Sequence, residues 1–129
     1  MPATGILLSD DLLFTSRVAG TARALGLEMH AVCTIGALED LARQRGPACV
    51  IVDLHHAGLE LAALVAALRR GPACTIVGYG AHVAADVLHA ARASGCDVVL
   101  PRSRFVETLE AELSRWYGAG GAKPPNDDR

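Results

Sequence analysis

Short apolar runs alternate along the chain with stretches of helical spacing. Residues 5–8 form a continuous apolar run that ends at Ser9-Asp10-Asp11 and predicts a buried strand. Over residues 12–25 the apolar positions Leu13, Phe14, Val18, Ala22 and Leu25 fall at helical spacing, and Gly26 closes the helix. Residues 27–33 read as a second strand. Glu28 and His30 interrupt it, which suits an edge position. Residues 35–45 predict a second helix with Leu38, Leu41 and Ala42 inward, stopped by Gly46-Pro47. A wholly apolar third strand, residues 48–52, ends at Asp53. The pattern then repeats: a helix over 59–70 stopped by Gly71-Pro72, a strand over 73–77, a turn at Gly78-Tyr79-Gly80, and a helix over 82–94 ended by Gly95. A fifth strand over 96–100 is followed by Pro101, and Ser103 is placed to cap a fifth helix running to Tyr117.

Five strand–helix units in series predict an α/β domain with a doubly wound, five-stranded parallel sheet. Strands one, three and four are apolar throughout, as a sheet covered on both faces requires. Right-handed crossovers and a polar second strand favour the strand order 2-1-3-4-5, the flavodoxin-like arrangement. The expected domain spans residues 1–117, and the Gly- and Pro-rich segment 118–129 is expected to be disordered.

Composition narrows the function classes. Hydrophobic residues make up 51% and aromatic residues only 4%, so Ala, Leu and Val do most of the packing. A formal net charge of −2 gives no electrostatic reason to expect a nucleic acid or a membrane surface as partner. Cys33, Cys49, Cys74 and Cys96 fit neither a zinc ribbon nor a redox pair and read as small, buried, reduced residues of a cytoplasmic protein. The amino terminus has no basic leader, and no apolar run is long enough to span a bilayer.

The candidate chemistry lies at the carboxyl ends of the strands, where open α/β sheets bind their ligands. Asp10 and Asp11 end the first strand and Asp53 ends the third, so three carboxylates are expected to converge. Their repulsion should strain the pocket unless a proton or a cation intervenes, and oxygen ligands with room for water suit Mg²⁺. A carboxylate beside Mg²⁺ can also accept a phosphoryl group.

Ile6-Leu7-Leu8-Ser9-Asp10-Asp11 and Val50-Ile51-Val52-Asp53 resemble the acidic first strand and the phospho-acceptor strand of response-regulator receiver domains. The resemblance covers residues 4–117. It implies that Asp10, Asp11, Asp53 and the backbone carbonyl of His55 would hold Mg²⁺ and that Asp53 would accept phosphate. The departures are equally specific. Leu54-His55-His56-Ala57-Gly58 stands where receivers carry Met-Pro and then Gly. Gly78 or Tyr79 occupies the position of their fourth-strand Ser or Thr. Leu100-Pro101 replaces their Lys-Pro, leaving Arg102 or Arg104 as a substitute cation. In receivers the peptide after that Lys is commonly cis, so the resemblance, with the proline retained, implies a cis peptide at Leu100-Pro101 with the Leu100 side chain beside the carboxylates.

Other motifs are weaker. Asp53-x-His55-x-x-Gly58 spells the lower-ligand string of cobalamin-binding domains, but it follows the third strand instead of the first. His82, Asp86 and His89 fall at i, i+4 and i+7 of the predicted fourth helix and read as a solvated polar face. No nucleophile–base arrangement is legible, so an enzyme is not expected. The reading is a stand-alone, degenerate receiver-like signalling module that binds a protein, such as a histidine kinase or another signalling protein, and is not switched by phosphorylation. Its expected contact face, also a candidate homodimer surface, is helix four, strand five and helix five. Phe105, Trp116 and Tyr117 are its candidate anchors, ahead of the poorer Val83, Val87, Ala91 and Ala111. The alternatives are a true phospho-acceptor regulator and a small-ligand binder of cobalamin or flavin type.

Overall fold

Each apolar run of the sequence becomes a strand because burial on both faces of a parallel sheet leaves no room for polar side chains. The computed structural model describes residues 3–118. Its elements are β1 (Thr4–Leu8), α1 (Leu12–Ala24), β2 (Glu28–Val32), α2 (Ile35–Arg45), β3 (Cys49–Asp53), α3 (Leu61–Arg69), β4 (Thr75–Gly80), α4 (Ala85–Ala93), β5 (Val98–Pro101) and α5 (Arg102–Tyr117). The strands form one sheet in the order β2-β1-β3-β4-β5, with every pairing parallel. β2 lies at the edge and is only half-buried, as its polarity predicts. The expected disordered tail falls almost wholly outside the described residues.

Alternate side chains of each strand feed two cores. Ile6, Leu8, Val50, Val52, Ile76 and Val99 pack under α2, α3 and α4. Leu7, Ile51, Val77, Tyr79 and Val98 pack under α1 and α5. Every aromatic residue of the chain lies in this second layer. Phe14, Tyr79, Phe105 and Trp116 form a ladder with centroid separations of 4.9, 5.0 and 5.6 Å between successive rings. Tyr117 lies over Gly5 and donates from its hydroxyl to the Glu28 carbonyl at 2.5 Å. A Cβ on Gly5 would overlap that hydroxyl.

Several expectations are corrected. Leu13 is 86% exposed, because Phe14, Val18 and Ala22 define the buried stripe of α1 and Leu13 precedes it by one residue, about 100° around the axis. Phe105, Trp116 and Tyr117 are core residues and not surface anchors; they recur at the helical spacing of Leu109 and Leu113. Gly78-Tyr79-Gly80 is not a turn: β4 continues through it, paired with Val52 and Asp53 of β3 and with β5. α4 begins at Ala85, so His82 lies in the preceding loop and shares no helix face with Asp86 and His89. Pro101, not Ser103, is the N-cap residue of α5, with extended φ −61° and ψ 148°. The Leu100–Pro101 peptide is trans. β5 extends through Pro101 into its pairing with Gly80, and the trans form is the lower in energy for an X–Pro bond. Cys49 is buried, Cys74 and Cys96 are half-buried and Cys33 is exposed; all four are free thiols.

Phe105 stacks on both Tyr79 and Trp116 and is fully buried, so Phe105→Ala should cost about 3–5 kcal/mol in chemical denaturation. Thiol labelling of the native protein should be fast at Cys33 and should reach Cys49 only on unfolding, since burial also pushes the Cys49 thiol far above its ordinary pKa.

Candidate functional site

The carboxyl edge of the sheet gathers the loops after β1, β3, β4 and β5. Asp11 directly precedes α1, and its Oδ1 accepts the Phe14 amide at 3.0 Å, the ordinary duty of an N-cap aspartate. Its own amide donates to the Ser9 hydroxyl at 3.1 Å. Oδ2 accepts a hydrogen bond from Arg102 Nη2 at 3.0 Å. The Arg102 guanidinium also lies 4.2 Å from the centroid of the Phe14 ring, a cation–π contact. Thus Arg102, one of the two expected substitute cations, reaches the acid edge. Arg104 is exposed on the first turn of α5.

Asp10 and Asp53 have different fates. Asp10 is exposed, and its Oδ1 stands 3.5 Å from His56 Nε2. The His56 side chain is only 8% exposed. Its Nδ1 faces the Ala57 carbonyl at 2.9 Å and its Nε2 faces the Cys33 carbonyl at 2.6 Å. A carbonyl only accepts, so both contacts together require a proton on each ring nitrogen, which is the imidazolium form. Asp53 is half-buried at the end of β3, and its Oδ1 accepts the His55 amide at 2.9 Å. The His55 ring turns toward the β4–α4 loop, where Nε2 accepts the Ala81 amide at 2.8 Å. That nitrogen is therefore already occupied as a hydrogen-bond acceptor.

The positions expected to carry the switch are also placed. Strand register sets Tyr79 beside Asp53, on the same face of the sheet, and Gly78 beside Val52 on the other. A Cβ on Gly78 would run into the Leu54 side chain. Tyr79 is 1% exposed, and its hydroxyl has no hydrogen-bond partner among the described residues; it approaches Ser9 without well-formed geometry. Leu100 is half-buried against the α1–α5 core and pairs with Tyr79 across the β4–β5 ladder.

The site therefore pairs Asp11 with Arg102 and sets Asp10 beside His56, which forms a second pair of opposite charges when the imidazole is protonated. The cap bond from Phe14 and then Arg102 hold the Asp11 carboxyl below its ordinary value. At His56 desolvation pulls the pKa down. The Cys33 and Ala57 carbonyls, with the Asp10 and Asp53 charges, outweigh it and raise the value. As placed, these donors suit a Mg²⁺ ion only coarsely. Both Asp11 oxygens are committed, and among the described residues no three His, Cys, Asp or Glu side chains form a metal-binding group. The Phe14–Arg102 contact and the double carbonyl seat of His56 carry no sequence signal.

No family model matches the chain, and no curated protein sequence matches it. Solved structures do. A response regulator from Hahella chejuensis superposes with a TM-score of 0.79 at 15% identity, over 94% of this chain and 99% of that one. The chain has the receiver-domain fold. The signal receiver domain of NarL from Mycobacterium tuberculosis gives 0.75 at 17% identity, over 92% of this chain and 98% of that one. A response regulator from Thermotoga maritima gives 0.76 at 14% identity, over 91% and 98%. At these identities the likeness establishes the receiver fold alone.

The two charge pairs make opposite contributions to pH dependence. Asp11, with a lowered folded pKa, adds stability that is present above its ordinary pKa of 3.8 and lost as the pH falls through the folded value. His56, with a raised folded pKa, adds stability that is full below its ordinary value of 6.5 and lost as the pH rises through the folded value. Melting curves between pH 3 and pH 9 should show Asp11→Asn flattening the acid limb and His56→Gln the alkaline limb.

Proposed function

We propose that the chain is a receiver-type signalling module that works through protein contacts and is not switched by phosphorylation. The observation that carries this reading is the commitment of Asp11, which caps α1 with one oxygen and holds Arg102 with the other. In the receiver resemblance that carboxylate belongs to the Mg²⁺ site that supports phosphoryl transfer. Here Mg²⁺ would have to displace an arginine, so its binding is weak. Two further residues support the reading. Tyr79 stands beside Asp53 where a small hydroxyl would follow the phosphoryl group, and its ring is locked in the aromatic ladder. Leu100 brings no charge. A phosphoryl group on Asp53 would make little differential contact with two conformations, and a ligand without differential contact shifts no equilibrium.

On this reading the domain is no enzyme. It is a cytoplasmic partner of a histidine kinase or another signalling protein. The α4–β5–α5 face is the contact or self-association surface, flanked by the β4–α4 loop with its exposed Val83, now that the aromatic residues are assigned to the core. The rival reading, a true phospho-acceptor, is favoured by Asp53 itself: of its two carboxylate oxygens only Oδ1 accepts a hydrogen bond among the described residues.

Backbone NMR spectra with and without beryllofluoride and Mg²⁺ separate the two. The expected shifts stay within the loops after β1 and β3. Large shifts across α4 and β5 would show a working switch and defeat the proposal. Arg102→Ala should tighten Mg²⁺ binding by roughly fivefold, the equivalent of one exposed ion pair.

A further inference from the structure

At the amino edge of the sheet, opposite the acid residues, a cavity of about 510 Å³ opens between the ends of α2 and α3. Its rim comes from a short repeat in the sequence. Arg45-Gly46-Pro47-Ala48-Cys49 leads into β3, and Arg70-Gly71-Pro72-Ala73-Cys74 leads into β4. β3 and β4 are neighbours, so the two turns lie side by side; a Cβ on Gly46 would sit 3.4 Å from Pro72 Cγ. Ala42, Pro47, Ala67, Leu68 and Pro72 give the cavity an apolar wall.

The two copies use their arginines differently. Arg45 turns to the edge strand and binds Glu28 Oε2 at 3.2 Å. The preceding Arg69 is held by the Cys74 and Gly95 carbonyls and by Asp97. Arg70 lines the cavity and has no ion pair or side-chain hydrogen bond among the described residues. Arg43, also in the lining, is already paired with Asp40. One guanidinium is therefore available at the mouth of an apolar cavity of ligand size.

We propose that this cavity binds a small monocarboxylate with an apolar body, its carboxylate on Arg70. The guanidinium fork matches a carboxylate in a bidentate pair. Glu39 in the same lining and the negative dipole ends of α2 and α3 oppose any anion, but a dianion such as phosphate feels them about twice as strongly and gains nothing from the apolar wall that holds the body of a monocarboxylate. The proposal is independent of the signalling role.

The test is an amide NMR titration of the full chain with phenylacetate, its neutral analogue phenylacetamide, and inorganic phosphate. Phenylacetate should produce saturable shifts at residues 42–49 and 67–74, with weaker binding of the amide and no competition by phosphate. Arg70 is exposed, so Arg70→Gln should leave the rest of the spectrum unchanged. It should weaken phenylacetate by about tenfold, as loss of a charge-assisted pair implies, without affecting phenylacetamide. Absence of saturable shifts at these residues would overturn the proposal. So would equal binding of phosphate, or an Arg70→Gln variant that binds phenylacetate as tightly as the parent.

Discussion

Burial of the sheet on both faces governs the rest of this molecule. A central strand of a parallel sheet presents alternate side chains to two helical layers, so a charge within it would be stranded in one core or the other. β1, β3 and β4 obey this along their length, and charged groups are pushed to the strand ends. Asp10, Asp11 and Asp53 appear at the carboxyl ends for that reason. The edge strand β2 is exempt: it places the polar His30 at its centre and Glu28 at its start, with Glu28 bonded to His30 at 2.8 Å and to Arg45 at 3.2 Å. Asp97 shows the same economy just before β5: its Oδ2 accepts both Arg69 and the Ile76 amide and ties α3, β4 and β5 together at the amino edge.

The strands, their order and the helices between them were legible because this constraint writes itself into apolar runs. Details that depend on one residue of phase were harder. Gly78 and Tyr79 could not be told apart in the sequence, since a one-residue slip of β4 against β3 exchanges the two faces. In the structure that slip decides between an empty position under Leu54 and a phenol beside Asp53. Phe105, Trp116 and Tyr117 were readable in principle. With Leu109 and Leu113 they form one helical stripe, and in a chain this rich in alanine the large rings are needed to fill a layer.

The acid edge was legible as a set of carboxylates but not as a set of pairs. Asp11 immediately before a helix is an N-cap signal, and the structure uses it so. Its other partner, Arg102, is 91 residues away, a contact no periodicity encodes. His56 is similar. Its proximity to the acids follows from the fold, whereas its double seat on the Cys33 and Ala57 carbonyls depends on how two loops pass each other. Charge counting along the sequence sees only the carboxylates and misses the arginine that the fold brings to Asp11.

Arg102 joins this edge to the core. It binds Asp11 on one side and lies over Phe14 on another, and Phe14 begins the ring ladder through Tyr79 and Phe105 to Trp116. Moving Arg102 out of the pocket gives up an ion pair and a cation–π contact together, and moving Tyr79 opens a gap between two stacked rings. A conformational switch needs two packed arrangements separated by a few kcal/mol, with a ligand that prefers one of them. Here Tyr79, the residue beside Asp53, is itself a rung of the core. A second arrangement that moved Tyr79 would have to rebuild packing in the α1–α5 layer, and this is the physical ground of the proposed phosphorylation-independent reading. The same Asp11–Arg102 pair that closes the acid edge thus also anchors one end of the ring ladder.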